Sequence, residues 1–253
     1  MTPEEREEFE KDLIAFCDRE LDLLGGVRNL DVLYAGGSSP LWLEGLSQRI
    51  GEGGSLTALD EGLVRVADDA LREADLTAPV HLVAGDIFEP PFEPRTFDLI
   101  YSAGLLHELD VRERAAEDAL AALVAVIRPG GRIATSDFVN SVPAIQLEDE
   151  KIEAELAREV SGRELYGIGR PERLIALHES LLDDVQWRLS PPRNVRHLDR
   201  LFLADEEPAD LSFLAADTRE RFHRRRQALL ERVRREGYTR PATLYVEGLA
   251  PGG

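Results

Sequence analysis

The chain predicts an α/β fold built on a doubly wound, mainly parallel sheet, and three features of its 253 residues predict it. Short apolar runs alternate with helical segments through the first half, the pattern of consecutive βαβ units. Several runs end in glycine or a lone carboxylate, as in Asp31-Val-Leu-Tyr-Ala-Gly-Gly37, Leu56-Thr-Ala-Leu-Asp60 and Val80-His-Leu-Val-Ala-Gly-Asp86. Hydrophobic residues make up 43% of the chain, which supplies a full core and excludes global disorder. In open parallel sheets ligands bind beyond the carboxyl ends of the strands, so Asp60 and Asp86 stand where function is expected.

Each element has a local reason. Residues 3–24 read as an amphipathic helix: Pro3 suits its first turn, the early glutamates favour its positive end, and Phe9, Leu13, Phe16 and Cys17 recur at helical spacing. Gly25-Gly26 ends it. Strands are expected near 30–35, 55–59, 80–85, 97–102 and 131–137, with helices near 40–50, 61–75 and 111–127. A charged helix over 142–160, a glycine-punctuated loop over 162–171, a helix over 172–181 and a sixth strand over 184–189 follow. A long basic helix occupies 217–236, and another apolar run covers 242–248.

Charge and composition narrow the partners. A formal net charge of −19 opposes a nucleic-acid backbone or an anionic membrane as partner, since both would be repelled. Lys11 and Lys151 are the only lysines, an arginine bias that codon usage explains more simply than function. The Arg221–Arg226 run is balanced by Asp217, Glu220, Glu231 and Glu236, so it reads as a solvated helix face with ion pairs. The single Cys17 rules out an internal disulfide and a multi-cysteine metal site, and its apolar neighbours make it a packing thiol. His178, His197 and His223 lack metal-ligand spacing, so no metal is expected. The acidic start Pro3-Glu-Glu-Arg-Glu-Glu8 and the absence of an apolar run near ~20 residues make a soluble, cytoplasmic protein the expectation.

Two further blocks complete a series. Thr96-Phe-Asp-Leu-Ile-Tyr-Ser-Ala-Gly-Leu-Leu-His-Glu-Leu109 runs from a strand into a loop, and Val126-Ile-Arg-Pro-Gly-Gly-Arg-Ile-Ala-Thr-Ser-Asp-Phe138 puts a Pro-Gly-Gly turn between a helix end and a fifth strand. With the three runs above, over roughly residues 29–139, the chain resembles the class I S-adenosylmethionine-dependent methyltransferases. The resemblance implies a Rossmann-like, seven-stranded sheet whose last strand is antiparallel, a role that Ala242–Gly248 fits. It divides the chain into an N-terminal helix (1–28), a cofactor-binding core (29–139) and a remainder (140–253). About fifty residues lie between the sixth and seventh strands, where the family has a short hairpin. This insertion, about 190–240, reads as a helical lobe that covers the active site or builds a homodimer.

The same resemblance implies S-adenosylmethionine as cofactor and assigns its contacts. Gly36 and Gly37 would let the backbone pass the methionyl and ribose portions, Asp60 would grip the ribose, and Asp86 with the backbone of Ile87 would read the adenine. Ser102 and Ala103 would lie beside the sulfonium. Asp60 and Asp86 are equally suited to capping a turn or helix. Tyr34 stands where the family usually carries an acid, and Ser38 and Pro40 replace later glycines of its run. Three outcomes stay open: Tyr34, Ser38 and Ser39 hold the methionyl end, affinity falls, or a different carbon of the cofactor meets the nucleophile. His107 is the candidate general base, opening the helix after the fourth strand, although histidine there is often structural. Trp42, Tyr101, Phe138 and Tyr166 would line an apolar substrate pocket. Methyl transfer to a small-molecule acceptor is the function implied. The alternatives are a reaction on the same cofactor that releases methylthioadenosine, by aminocarboxypropyl transfer or cyclisation, and a non-catalytic binding protein.

Overall fold

In the computed structural model, which describes residues 1–37, 39–62, 71–72, 74–109, 115–142, 144–162, 169–204 and 211–252, seven strands form one sheet. They are β1 (Asp31–Ala35), β2 (Ser55–Asp60), β3 (Val80–Ala84), β4 (Phe97–Ala103), β5 (Ile127–Val139), β6 (Asp183–Ser190) and β7 (Ala242–Leu249). Their order is β3-β2-β1-β4-β5-β7-β6. The pairs from β3 to β5 are parallel, whereas β7 runs antiparallel between β5 and β6. The order therefore reverses between β1 and β4, and that switch point is where an open α/β sheet leaves a crevice.

The helices are α1 (Pro3–Leu21), α2 (Pro40–Ile50), α3 (Ala115–Val126), α4 (Ile145–Ser161), α5 (Pro171–Glu179), α6 (Leu198–Ala204) and α7 (Ala216–Glu236). Side chains alternate along β1, and its two faces bury different layers. Val32 and Tyr34 meet Cys17, Leu21, Leu43, Leu46 and Ile50 of α1 and α2, while Leu33 and Ala35 meet Ala119, Leu120 and Leu123 of α3. Burial on both faces is why these strands read as unbroken apolar runs. A Thr2 capping box starts α1, with Thr2 and Glu5 each bonding the other's backbone N–H. After Leu21 the chain tightens into a 3-10 turn, Asp22–Leu24, so the regular helix is three residues shorter than the periodicity suggests. Most of the helix expected over 61–75 falls outside the described residues.

The Arg128-Pro-Gly-Gly131 turn fastens the end of the sheet remote from the strand tips. Arg128 donates to Asp98 at the start of β4 and, at 3.1 Å, to Asp31 at the start of β1. Asp98 in turn accepts from the Asp31 backbone N–H at 2.9 Å. Gly130 sits at φ +73°, and a Cβ on Gly131 would lie 2.8 Å from the Arg128 carbonyl, so both positions require glycine.

The insertion between β6 and β7 folds back onto its own chain. Phe222, Leu229 and Val233 of α7 bury against Ile145 and Ile152 of α4. Ion pairs join Arg221 to Glu159 (2.9 Å), Arg226 to Asp149 (2.7 Å), Arg232 to Glu148 (2.6 Å) and Arg225 to Glu155. The basic run thus pairs with the acidic face of α4 across the helix interface. Ahead of α6, Arg196 makes a two-pronged contact with Asp12 at 2.9 Å and holds its carboxyl down to about 2, and His197 meets Glu8 at 2.8 Å. These contacts seat the lobe on α1 as well. Among the described residues no helix is long and apolar enough to cross a membrane.

Candidate functional site

The carboxyl ends of β1, β2 and β3 meet at one edge of the crevice, and backbone hydrogen bonds stitch them together. The Gly36 N–H donates to the Leu59 carbonyl at 2.9 Å and the Gly85 N–H to the Asp60 carbonyl at 3.1 Å. Gly36 has φ +74°, and a Cβ there would lie 2.5 Å from a Leu105 methyl. A Cβ on Gly37 would lie 2.9 Å from the Tyr34 ring. The turn therefore exposes bare main chain, with the N-terminus of α2 just behind it at Pro40. Ser38 lies outside the described residues.

Asp60 closes β2, and its Oδ1 accepts from the Gly62 N–H at 2.9 Å. Asp86 follows β3 in the same way, with Oδ1 accepting from the Phe88 N–H at 2.8 Å. The turn-forming duty open to each acid is thus present, and a carboxylate has acceptor capacity beyond one such bond. Ile87 buries its side chain in the layer with Leu59 and Phe97.

Tyr34 occupies a different place from a methionyl-gripping side chain. It is 3% exposed, stacked between Trp42 and Tyr101 with ring centroids 6.5 and 5.9 Å away. Burial pushes its phenol well above the usual range, so it stays protonated. Its ring props Gly37 from below. Tyr101 is likewise fully buried, a core residue instead of a pocket wall, whereas Trp42 and Phe138 do line a cavity. Tyr166 lies outside the described residues. Ser102 is buried on the face of β4 opposite Tyr101, and neither its Oγ nor the Tyr101 Oη has a hydrogen-bond partner among the described residues.

His107 does not open a regular helix. It sits in a 3-10 turn, Leu106–Glu108, after which Leu109 is extended. Its Nδ1 lies 2.8 Å from Asp137 Oδ1, and the carboxylate also accepts from the Leu106 and His107 backbone N–H groups at 3.4 Å. Burial alone would lower the imidazole pKa, but the Asp137 hydrogen bond and charge outweigh it and the net shift is upward. Sequence reasoning did not single out Asp137; its signal was a lone acid inside the apolar run Ile133–Val139. It also missed Glu20, a carboxylate one helical turn past Phe16 on the apolar face of α1, which is 3% exposed.

His178 is the opposite case. Its Nδ1 donates to the Leu174 carbonyl at 2.7 Å, which places a proton on that nitrogen, and its Nε2 lies 2.9 Å from the Thr135 hydroxyl, which can donate to a neutral ring. Burial lowers its pKa, so its contribution to stability is present above about 6.5, the ordinary histidine value, and is lost as pH falls below it. The gap in Tm between the wild type and His178→Gln is expected to narrow from pH 7.5 to 5.5. A gap that widens over that range refutes the neutral assignment.

A glycine turn follows β1 and acids stand at or just past the ends of β2 and β3, within a segment, residues 32–131, that matches the family model described as a methyltransferase domain. Over that segment the chain is similar to S-adenosylmethionine-dependent methyltransferases. Among curated proteins, the ubiquinone/menaquinone biosynthesis C-methyltransferase UbiE of Idiomarina loihiensis is 32% identical over 127 residues, covering 49% of this chain and 49% of that protein. The chain thus spans about half the length of the curated relatives it matches. Among solved structures, a cyclopropane-fatty-acyl-phospholipid synthase-like protein from Lactobacillus casei superposes with a TM-score of 0.70 at 16% identity, covering 99% of this chain and 94% of that one. The YcgJ protein of Bacillus subtilis gives 0.63 at 15%, over 94% and 100%. At such identities these two establish the fold alone.

The strand tips fit the family's cofactor. The glycine turn admits a ligand against main chain, and acceptors stand at adjacent strand ends where hydroxyl and amino donors of an adenosine would meet them.

Proposed function

We propose that the protein is an S-adenosylmethionine-dependent methyltransferase acting on a small-molecule acceptor. The reading rests on one observation above the others: Asp60 ends β2 and Asp86 lies two residues past the end of its parallel neighbour β3, beside the Gly36–Gly37 turn. In this reading Asp60 takes the ribose hydroxyls, Asp86 and the Ile87 backbone take the adenine, and Gly36, Gly37 and Ser38 pass the methionyl portion. The bound cofactor supplies an electrophilic methyl group on sulfur. The residues of the chain bind, orient and exclude water.

Tyr34 supports this by packing beneath Gly37, and Ser102 lies in the β4 tip beside the crevice. His107 enters as a positioning residue: locked to Asp137 below Gly104, it holds the loop that leaves β4. The relatives' C-methylation in quinone biosynthesis, as their name states it, is one acceptor class among those this reading includes. The decisive measurement is calorimetry with S-adenosylhomocysteine, followed by incubation with methyl-labelled cofactor and candidate acceptors. Saturable binding with label transfer supports the proposal, and absence of binding sinks it.

One observation favours a second reading. The place where the family carries an acid at the end of β1 is a buried, protonated phenol, so the methionyl arm is held by other groups. A rotated arm presents a different carbon for attack. Mass spectrometry of the spent cofactor separates the two: S-adenosylhomocysteine marks methyl transfer, and methylthioadenosine marks transfer or cyclisation of the aminocarboxypropyl arm.

A further inference from the structure

A second cavity adjoins the crevice and shares with the cofactor contacts only Ala103, which would lie beside the sulfonium. It measures about 180 Å³ and lies between α1, the start of α2, the tips of β4 and β5, and the residues leading into β7. Phe16, Trp42 and Phe138 give it aromatic walls. Two ionisable groups line it as well. Glu20 is almost wholly buried and accepts from the Ser136 hydroxyl at 2.5 Å. The Arg240 guanidinium is clamped between the Phe16 and Phe138 rings, 4.6 and 4.7 Å from their centroids.

We propose that this cavity receives the acceptor, and that the acceptor is a single planar ring carrying a hydroxyl, whose hydrogen Glu20 accepts and whose negative oxygen Arg240 balances. The inference rests on the methyltransferase reading and deepens it. The size follows from volume, since a cavity of roughly 150 Å³ elsewhere holds one benzene ring, so the space here admits one ring and a few substituents. The ring follows from the aromatic walls, which favour offset or edge contacts with another π system. The hydroxyl follows from the two ionisable groups on the wall. A buried carboxyl is costly unless something uses it, and a purely apolar occupant would leave it and the half-buried Arg240 guanidinium poorly satisfied. Burial raises the Glu20 carboxyl pKa against the opposing pull of Ser136 and Arg240, which suits a group that shares a proton with a weakly acidic hydroxyl. Cys17 also lines the cavity, but burial pushes its thiol up to about 12, so it stays protonated there.

The test is binding to the intact protein, with catechol and toluene as probes, and S-adenosylhomocysteine titrated separately. Catechol is expected to bind at least ~10-fold more tightly than toluene, and Glu20→Gln and Arg240→Met are each expected to remove about that preference. The S-adenosylhomocysteine affinity of both variants should match the wild type. Equal affinity for the two probes, or no catechol binding by a protein that binds S-adenosylhomocysteine, overturns the inference and leaves the cofactor reading standing. Loss of S-adenosylhomocysteine binding in Glu20→Gln gives the cavity to the cofactor and also overturns it. Should Glu20→Gln fail to fold, Leu13→Trp at the half-buried rim fills the space: it should abolish catechol binding and spare S-adenosylhomocysteine, and retained catechol binding refutes the site. Catechol binding without S-adenosylhomocysteine binding would support the cavity while sinking the cofactor reading.

Discussion

Asp60→Ala is expected to weaken S-adenosylhomocysteine binding by about 10–100-fold while leaving the protein folded. The magnitude is that of losing hydrogen bonds to a charged acceptor, about 1.5–3 kcal/mol. The fold survives because the carboxylate lies at a half-buried strand tip, where its Oδ1 accepts from the Gly62 N–H beside solvent. Calorimetry gives the affinity and a melting curve gives the control. Asp60→Asn should fall between the two, since it keeps one carbonyl acceptor and loses the charge. An Asp60→Ala protein that binds like the wild type means that the acid only shapes its turn.

Asp137→Ala should cost about 3 kcal/mol of stability and lower Tm by about 6–12 °C for a chain of this size. Asp137 is 1% exposed and gathers the His107 ring and two backbone N–H groups of the loop leaving β4, so its removal strands three buried donors. The pair also carries a pH signature. His107 has a raised pKa, so its contribution is full below the ordinary histidine value and is lost as pH rises through the higher, folded one. The stability gap between the wild type and Asp137→Ala should therefore be larger at pH 6 than at pH 9. A double-mutant cycle with His107→Asn should show strong coupling, as neighbours in one network do. Additive effects would separate the two residues and remove His107 from the positioning role.

How much of this was legible before the fold was known follows from the range of each interaction. Strand and helix identity is written locally, so the runs ending at Ala35, Asp60, Ala84 and Ala103 were readable, as was the antiparallel closing strand once the family resemblance was recognised. Boundaries were less so. The helix expected to open at His107 is a 3-10 turn because Asp137, thirty residues on, captures two of its N–H groups. Periodicity along one segment carries no information about such a partner.

Local residue patterns carry the α/β class, the acids at the strand ends and the glycines that bare the main chain, because each depends on a residue's own conformational range and its immediate neighbours. Packing of the layers sets the rest: Tyr34 props the turn from the core, the arginines of α7 pair with α4, and Glu20 and Arg240 converge on one cavity from opposite ends of the chain. Those are contacts between residues distant in sequence, fixed by how the layers pack, and no local pattern encodes which distant side chain a fold will bring alongside.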